Sequence, residues 1–185
     1  LTLCEGDSAT AGLIPILGRK EFGYFPLRGK PLNVIDGQVS KIVANEEIKN
    51  IITILGIDIS QEVKDMNYEN ILIASDQDLD GILIRGLVLT FFYKFTPELL
   101  KTGRIKYLKT PMIVLKKKGK PEHWFFNFNE YNEWAKDNSL DGYDFHYYKG
   151  LGTWKKEDLQ YIIQKSGFNT LVETFEFDKT AKEYI

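Results

Sequence analysis

The stretch NILIASDQDLDG, residues 70–81, decides the fold. Its first half, residues 70–75, is a continuous apolar run of the kind a strand shows when both faces of a parallel sheet are covered. Its second half is the acidic turn Asp76-Gln77-Asp78-Leu79-Asp80-Gly81. Beyond the turn, Ile84, Leu87, Val88, Phe91 and Phe95 recur at helical spacing until Pro97, which predicts a helix ending there. The same sequence of strand, acidic turn and helix opens the chain. Residues 1–4 (LTLC) halt at Glu5-Gly6-Asp7-Ser8 and pass into a helix over residues 9–17. Residues 22–27 read as a further strand closed by the turn Arg28-Gly29-Lys30-Pro31, and Ile48, Ile51, Ile52 and Leu55 mark another helix. Strand alternating with helix over the first ~100 residues predicts an α/β fold, a parallel sheet flanked by helices.

The remainder changes character. Residues 105–116 and 123–128 read as two strands joined by the basic turn Lys117-Lys118-Gly119-Lys120. Asn129 is the expected cap of a short helix carrying Tyr131 and Trp134, and residues 145–148 a strand ending at Lys149-Gly150-Leu151-Gly152-Thr153. Leu159, Ile162 and Ile163 suggest a helix, residues 171–177 a last strand, and Tyr184 the tail of a further helix. This divides the chain into a core over 1–110 and a smaller α+β elaboration over 111–185.

The 185 residues are 43% hydrophobic and 27% charged, which excludes a disordered or collagen-like chain. Lys plus Arg number 24 against 26 for Asp plus Glu, and the pI is near 5.8. That balance argues against a free-standing electrostatic nucleic-acid binder, for which a pI above about 9 is the usual footprint. The single cysteine, Cys4, excludes an internal disulfide and fits a reducing compartment. No run approaches the ~18 apolar residues of a membrane span, and no basic-then-apolar signal peptide is present. The chain opens at Leu1 inside a strand, so it reads as a piece of a longer polypeptide.

Two strands thus end in acids: Glu5 after the first, and Asp76, Asp78 and Asp80 after the later one. In open α/β sheets ligands sit outside the carboxyl ends of strands at a topological switch point, so the four converge if the two strands are neighbours. Carboxylates a few ångströms apart do not all ionise without a compensating cation. Hard oxygen ligands point to Mg²⁺ rather than Zn²⁺, and Mg²⁺ completes its shell with water and phosphate oxygens. The chemistry implied is phosphoryl transfer. Taken alone, DQDLDG is equally a solvated acidic turn with a helix cap. A calcium loop is excluded, because the acidic residue an EF-hand needs at its twelfth position would fall at Leu87.

Four strings taken together resemble a known family. EGDSA at 5–9, FPLRGK at 25–30 with LNV at 32–34, DQDLDG at 76–81 and YKGLGT at 148–153 are similar, in order and spacing, to the Toprim region of type IIA DNA topoisomerases. DxDxD alone also suits Toprim nucleases and primases; PLRGK and KGLG narrow the match. Residues 18–34 lean towards the eukaryotic enzymes, whereas 104–115 followed by EHWFF at 122–126 are similar to T-even-like phage subunits.

The resemblance implies a Toprim, Rossmann-like sheet and a Mg²⁺-dependent, reversible break in double-stranded DNA made through a tyrosyl phosphodiester. It implies Glu5 as general acid/base and metal ligand, Asp76 sharing that metal and holding a second one with Asp78, and Asp80 as a weaker ligand. It sets Arg28 and Lys30 beside the DNA backbone, and Lys149 near DNA or as a brace of the Toprim surface. Gly29, Gly150 and Gly152 are expected to allow close backbone approach.

The nucleophilic tyrosine belongs, in that family, to a winged-helix domain or cleavage subunit, and the ATP-hydrolysing domain lies upstream. The fragment is therefore expected to be inactive alone, within a two-fold symmetric assembly acting in the cytoplasm, as in a phage-infected bacterium, or in a nucleus if eukaryotic. One departure is Ile82-Leu83 where the family commonly has Ser-His; Arg85 keeps its basic residue. Two competing readings are a Toprim nuclease or primase-like domain and a non-catalytic scaffold that docks a cleavage subunit. Lys116, Lys117, Lys118 and Lys120 read as a solvated hairpin tip or a phosphate patch. The aromatics between Phe125 and Trp134 read as core.

Overall fold

The computed structural model describes residues 1–35, 37–175 and 177. The chain begins with β1 (Thr2–Cys4), α1 (Gly6–Leu17), β2 (Tyr24–Pro26), α2 (Val39–Ala44), α3 (Glu46–Leu55), β3 (Ile71–Ala74), α4 (Leu79–Phe95), α5 (Pro97–Lys101) and β4 (Ile105–Leu108). It continues through β5 (Ile113–Lys117), β6 (Lys120–Phe125), α6 (Phe128–Asp137), β7 (Asp144–Tyr147), the 3-10 turn Leu151–Thr153, α7 (Lys156–Ser166) and β8 (Val172–Thr174).

Five strands form one sheet in the order β2-β1-β3-β4-β8. The first four are parallel, and β8 closes the sheet antiparallel to β4. Alternation along the strands explains why both faces are covered. Leu3, Ile71, Ile73 and Ile105 enter a core shared with α3, α4 and α5. Cys4, Leu72, Ala74 and Leu108 point the other way, into a core shared with α1 and α7. The apolar run at 70–75 therefore needs no polar face, as expected of a doubly covered strand.

The second sheet, β6-β5-β7, is antiparallel. Ile113, Leu115 and Phe125 form a small core against which the half-buried Tyr131 and Trp134 pack, whereas Phe128, also expected in the core, is exposed because it opens α6 at the surface. Val114 faces the other way, towards Leu159 and Ile162 of α7. Helix α7 is thus the layer that both sheets share.

Several expectations shift. The single strand expected over 105–116 is two strands in different sheets, because the chain leaves the first sheet after Leu108 and enters the second at Ile113. Pro111, which has no N–H for a ladder, sits in the gap. The cap of α6 is Asn127, not Asn129: its Oδ1 accepts from the Glu130 N–H at 2.9 Å. Pro97 ends α4 by opening α5, where its missing N–H costs nothing. Lys116 is no part of a solvated tip; it is 6% exposed. The helix tail read at Tyr184 lies outside the described residues.

Candidate metal and nucleic-acid site

Strands β1 and β3 are immediate neighbours, with Cys4 opposite Ala74. From β1 the chain crosses through α1 to β2 on one side; from β3 it crosses through α4 and α5 to β4 on the other. The crossovers diverge here, and the carboxyl ends of β1 and β3 open a crevice. Glu5 leaves β1 and Asp76 follows β3 by two residues. The Glu5 N–H donates to the Ala74 carbonyl at 2.8 Å, and the Asp76 N–H donates to Glu5 Oε2 at 2.8 Å.

Burial pushes the Glu5 carboxyl above its ordinary value. The hydrogen bond from the Asp76 N–H opposes this, and the negative charges of Asp76, Asp78 and Asp80 add to the rise.

Each aspartate is held differently. Asp76 Oδ1 accepts from the Leu151 N–H at 2.7 Å, so the loop after β7 reaches 75 residues back to grip it. Asp78 caps α4, its Oδ1 accepting from the Gly81 N–H at 3.0 Å. Asp80, in the first turn of α4, pairs with Lys30 at 2.9 Å; both are well exposed. The structure therefore gathers Glu5, Asp76, Asp78, Asp80 and Lys30 at one crevice. Arg28 stands apart from the acids, beside a surface pocket lined with Lys30, Leu32 and Glu47, and its N–H donates to Glu47. Lys149 is exposed, next to the loop that holds Asp76.

Among the described residues no group of three His, Cys, Asp or Glu side chains forms a ready-made metal cage. The donor set nonetheless suits Mg²⁺, which takes one or two carboxylates and keeps water and phosphate oxygens for the rest. Glu5 and Asp76 each use one oxygen in holding a backbone N–H and keep the other, Oε1 and Oδ2, without a hydrogen bond among the described residues.

Two glycines, of which only Gly150 had an expected role, explain how tightly Asp76 is set. A Cβ on Gly81 would lie 2.1 Å from the Asp76 carbonyl oxygen, and a Cβ on Gly150 would lie 2.1 Å from Asp76 Oδ2. Gly150 was expected to serve close approach and does. Gly29 has nothing near its absent side chain and instead holds φ at 81°, while Gly152 meets only Ser8 at an ordinary 3.6 Å. The signal for Gly81 was local: glycine is a poor residue for the first turn of a helix. Ile82 and Leu83 are half-exposed, so α4 presents apolar side chains where the resemblance leads one to expect Ser-His. Arg85 lies 5.2 Å over the Tyr107 ring and reaches Gln77 at 3.5 Å.

Three tyrosines are held away from ionisation. Burial raises Tyr24 and Tyr107 to about 12, with a hydrogen bond to Glu173 adding to the rise at Tyr107. Tyr148 is raised further, by burial and then by a hydrogen bond to Asp158.

Comparison with known proteins agrees with this geometry. The Toprim domain family matches residues 1–110, and the family described as the C-terminal associated domain of TOPRIM matches residues 108–184. DNA topoisomerase 2 of Plasmodium falciparum is 43% identical over 161 residues, covering 83% of this chain and 11% of that protein. A mitochondrial DNA topoisomerase 2 of Dictyostelium discoideum is 42% identical over 166 residues, 83% of this chain and 13% of the relative. The crystal structure of the Plasmodium falciparum topoisomerase II DNA-binding, cleavage and re-ligation domain matches with a TM-score of 0.85 at 34% identity, over 99% of this chain and 26% of that one. The chain spans about a tenth of the length of the curated relatives it matches.

Proposed function

The chain belongs to the Toprim family of eukaryotic-type type II DNA topoisomerases, and from that premise we propose that it supplies half of a Mg²⁺-dependent site for reversible cleavage of double-stranded DNA. The observation that carries this reading is the Glu5–Asp76 pair, hydrogen-bonded at the carboxyl ends of two adjacent parallel strands where the crossovers diverge.

Glu5, Asp76 and Asp78 would hold the metal, with Asp80 acting through its pairing with Lys30. Bound there, Mg²⁺ would stabilise charge on the attacking and leaving oxygens of the phosphodiester. Glu5 acts as the general acid. As a tyrosine from a winged-helix domain or cleavage subunit loses its hydroxyl proton to water and bonds to phosphorus, the P–O3′ bond breaks and the Glu5 carboxyl gives its proton to the leaving 3′-oxygen; on resealing Glu5 takes that proton back and the released tyrosine regains one from water. Burial raises the Glu5 carboxyl, the direction a proton donor at this position needs. Lys30, Arg28 and Lys149 would contact the DNA backbone. ATP serves a domain upstream, in a two-fold assembly that acts wherever the cell keeps its DNA, which in a eukaryote is the nucleus or mitochondrion. We set the Toprim core at 1–110 and treat 111–185 as the part that completes it.

The test is the covalent protein–DNA complex formed by the parent protein with Mg²⁺. Glu5→Gln and Asp76→Asn are expected to abolish it, and the 185-residue chain alone is expected to form none. Complex formation that survives Glu5→Gln would reduce this chain to a docking scaffold. Mg²⁺-dependent cutting by the isolated chain would make it a nuclease.

A further inference from the structure

The Leu151 N–H that grips Asp76 belongs to a loop whose first residue is fixed by a buried polar link. Tyr148 is 6% exposed, and its hydroxyl donates to Asp158 Oδ2, the same oxygen that takes the Lys116 ammonium. Lys116 and Asp158 are 6% and 4% exposed. The link ties β5, the loop and the first turn of α7 together in one place. The Tyr148 ring also lies flat on Trp154 at the loop's far end, with centroids 4.0 Å apart, and the Tyr148 N–H donates to the Met112 carbonyl at 2.8 Å. Between these two aromatic residues the loop laces itself: the Thr153 N–H and hydroxyl both donate to the Gly150 carbonyl, at 3.0 and 2.7 Å.

A buried ion pair is weak evidence for stability, since well-packed apolar residues of like volume do as well or better. What such a pair can supply is a unique arrangement. We propose that the Lys116–Asp158–Tyr148 link is a positioning device that holds the 149–153 loop so that the Leu151 N–H fixes the Asp76 carboxylate for its metal. Tyr148 and Asp158 are positioning residues acting through Leu151. The inference rests on the metal reading of Asp76 given above.

The test uses the 185-residue chain and Mn²⁺ as the probe, with binding read by electron paramagnetic resonance. Tyr148→Phe removes the hydroxyl and keeps the ring on Trp154. It is expected to weaken Mn²⁺ binding about tenfold, the scale seen when a metal ligand loses its supporting partner. It should also speed amide exchange at Leu151. Asp76→Asn is expected to weaken Mn²⁺ binding by itself, and adding Tyr148→Phe to it should cost nothing further, since both act through one carboxylate. Losses that add, or a folded Tyr148→Phe chain with unchanged Mn²⁺ affinity and Leu151 exchange, would overturn the proposal while leaving the metal site standing. An unmodified chain that binds no Mn²⁺ would overturn both.

Discussion

At the scale of single residues, Asp76 is the most constrained group in the crevice. Its carbonyl meets Gly81, its carboxylate meets Gly150, and one carboxylate oxygen is held by the Leu151 N–H. A methyl group at residue 150 overlaps the carboxylate and forces Asp76 into another rotamer. Gly150→Ala is therefore expected to lower Mn²⁺ affinity by about tenfold, with little loss of helix or sheet signal by circular dichroism. Equal affinity in the two proteins would show that the approach is incidental. Glu5 yields a prediction about pH. Its carboxyl is raised above 4.5 in the folded state, so between that value and its folded one the native chain binds more protons than the unfolded chain. Stability contributed by the protonated form is complete below that window and is lost as pH rises through it. Without divalent ions, Glu5→Gln should thus melt progressively higher than the parent chain as pH is raised from the ordinary carboxylate value through the raised one. A gap that narrows over that range would contradict the assignment. The close approach at Gly150 was expected from the sequence, but the atoms that Gly81 and Gly150 meet, and the Leu151 amide, were not legible there. The motifs EGDSA, DQDLDG and KGLG were, but the contact between Asp76 and residue 151 joins segments 75 residues apart, and no local pattern records it.

Secondary-structure elements show where local pattern reading succeeds and where it fails. Strand β3 and helix α4 were legible because one is apolar on both faces and the other carries its cap and buried stripe in plain order. The break between β4 and β5 was not, because both halves are apolar and alternate alike; only the destination of each half differs, and that is set by packing. Lys116 illustrates the same limit: in sequence it joins a run of lysines, whereas in the fold β5 turns it inward to Asp158. Helix α7 supplies a stability test of that pair. Asp158→Ala strips Lys116 of its counter-charge at a buried position and is expected to cost about 3–5 kcal/mol. Replacing both partners by apolar residues, as in Lys116→Met with Asp158→Leu, should cost far less, and chemical denaturation would distinguish the two. If the double variant is as damaged as the single one, the interaction is a net source of stability and not only of position.

For the molecule as a whole, a near-neutral charge balance first spoke against a nucleic-acid partner. The structure explains it as a sum of unlike parts: four acids gather at one crevice with Lys30 paired to Asp80, while Arg28 stands apart beside Glu47 and Lys149 is exposed in the loop after β7. On this reading the isolated chain is expected to bind duplex DNA only weakly, with dissociation constants in the range of non-specific binding, about 10⁻⁴ M or weaker at physiological salt. Fluorescence anisotropy with and without Mg²⁺ checks this, and tight binding in the absence of Mg²⁺ would contradict it. The grip of the Leu151 amide on Asp76 bears also on protein synthesis. A chain stalled on the ribosome after β4 already carries Glu5, Asp76, Asp78 and Asp80, yet it lacks the amide that aims Asp76 and the strand β8 that closes the sheet. On the reading proposed here, a truncated product would display every acid of the site without the means to organise them, so the metal site is completed only when the segment from β7 onward has been made.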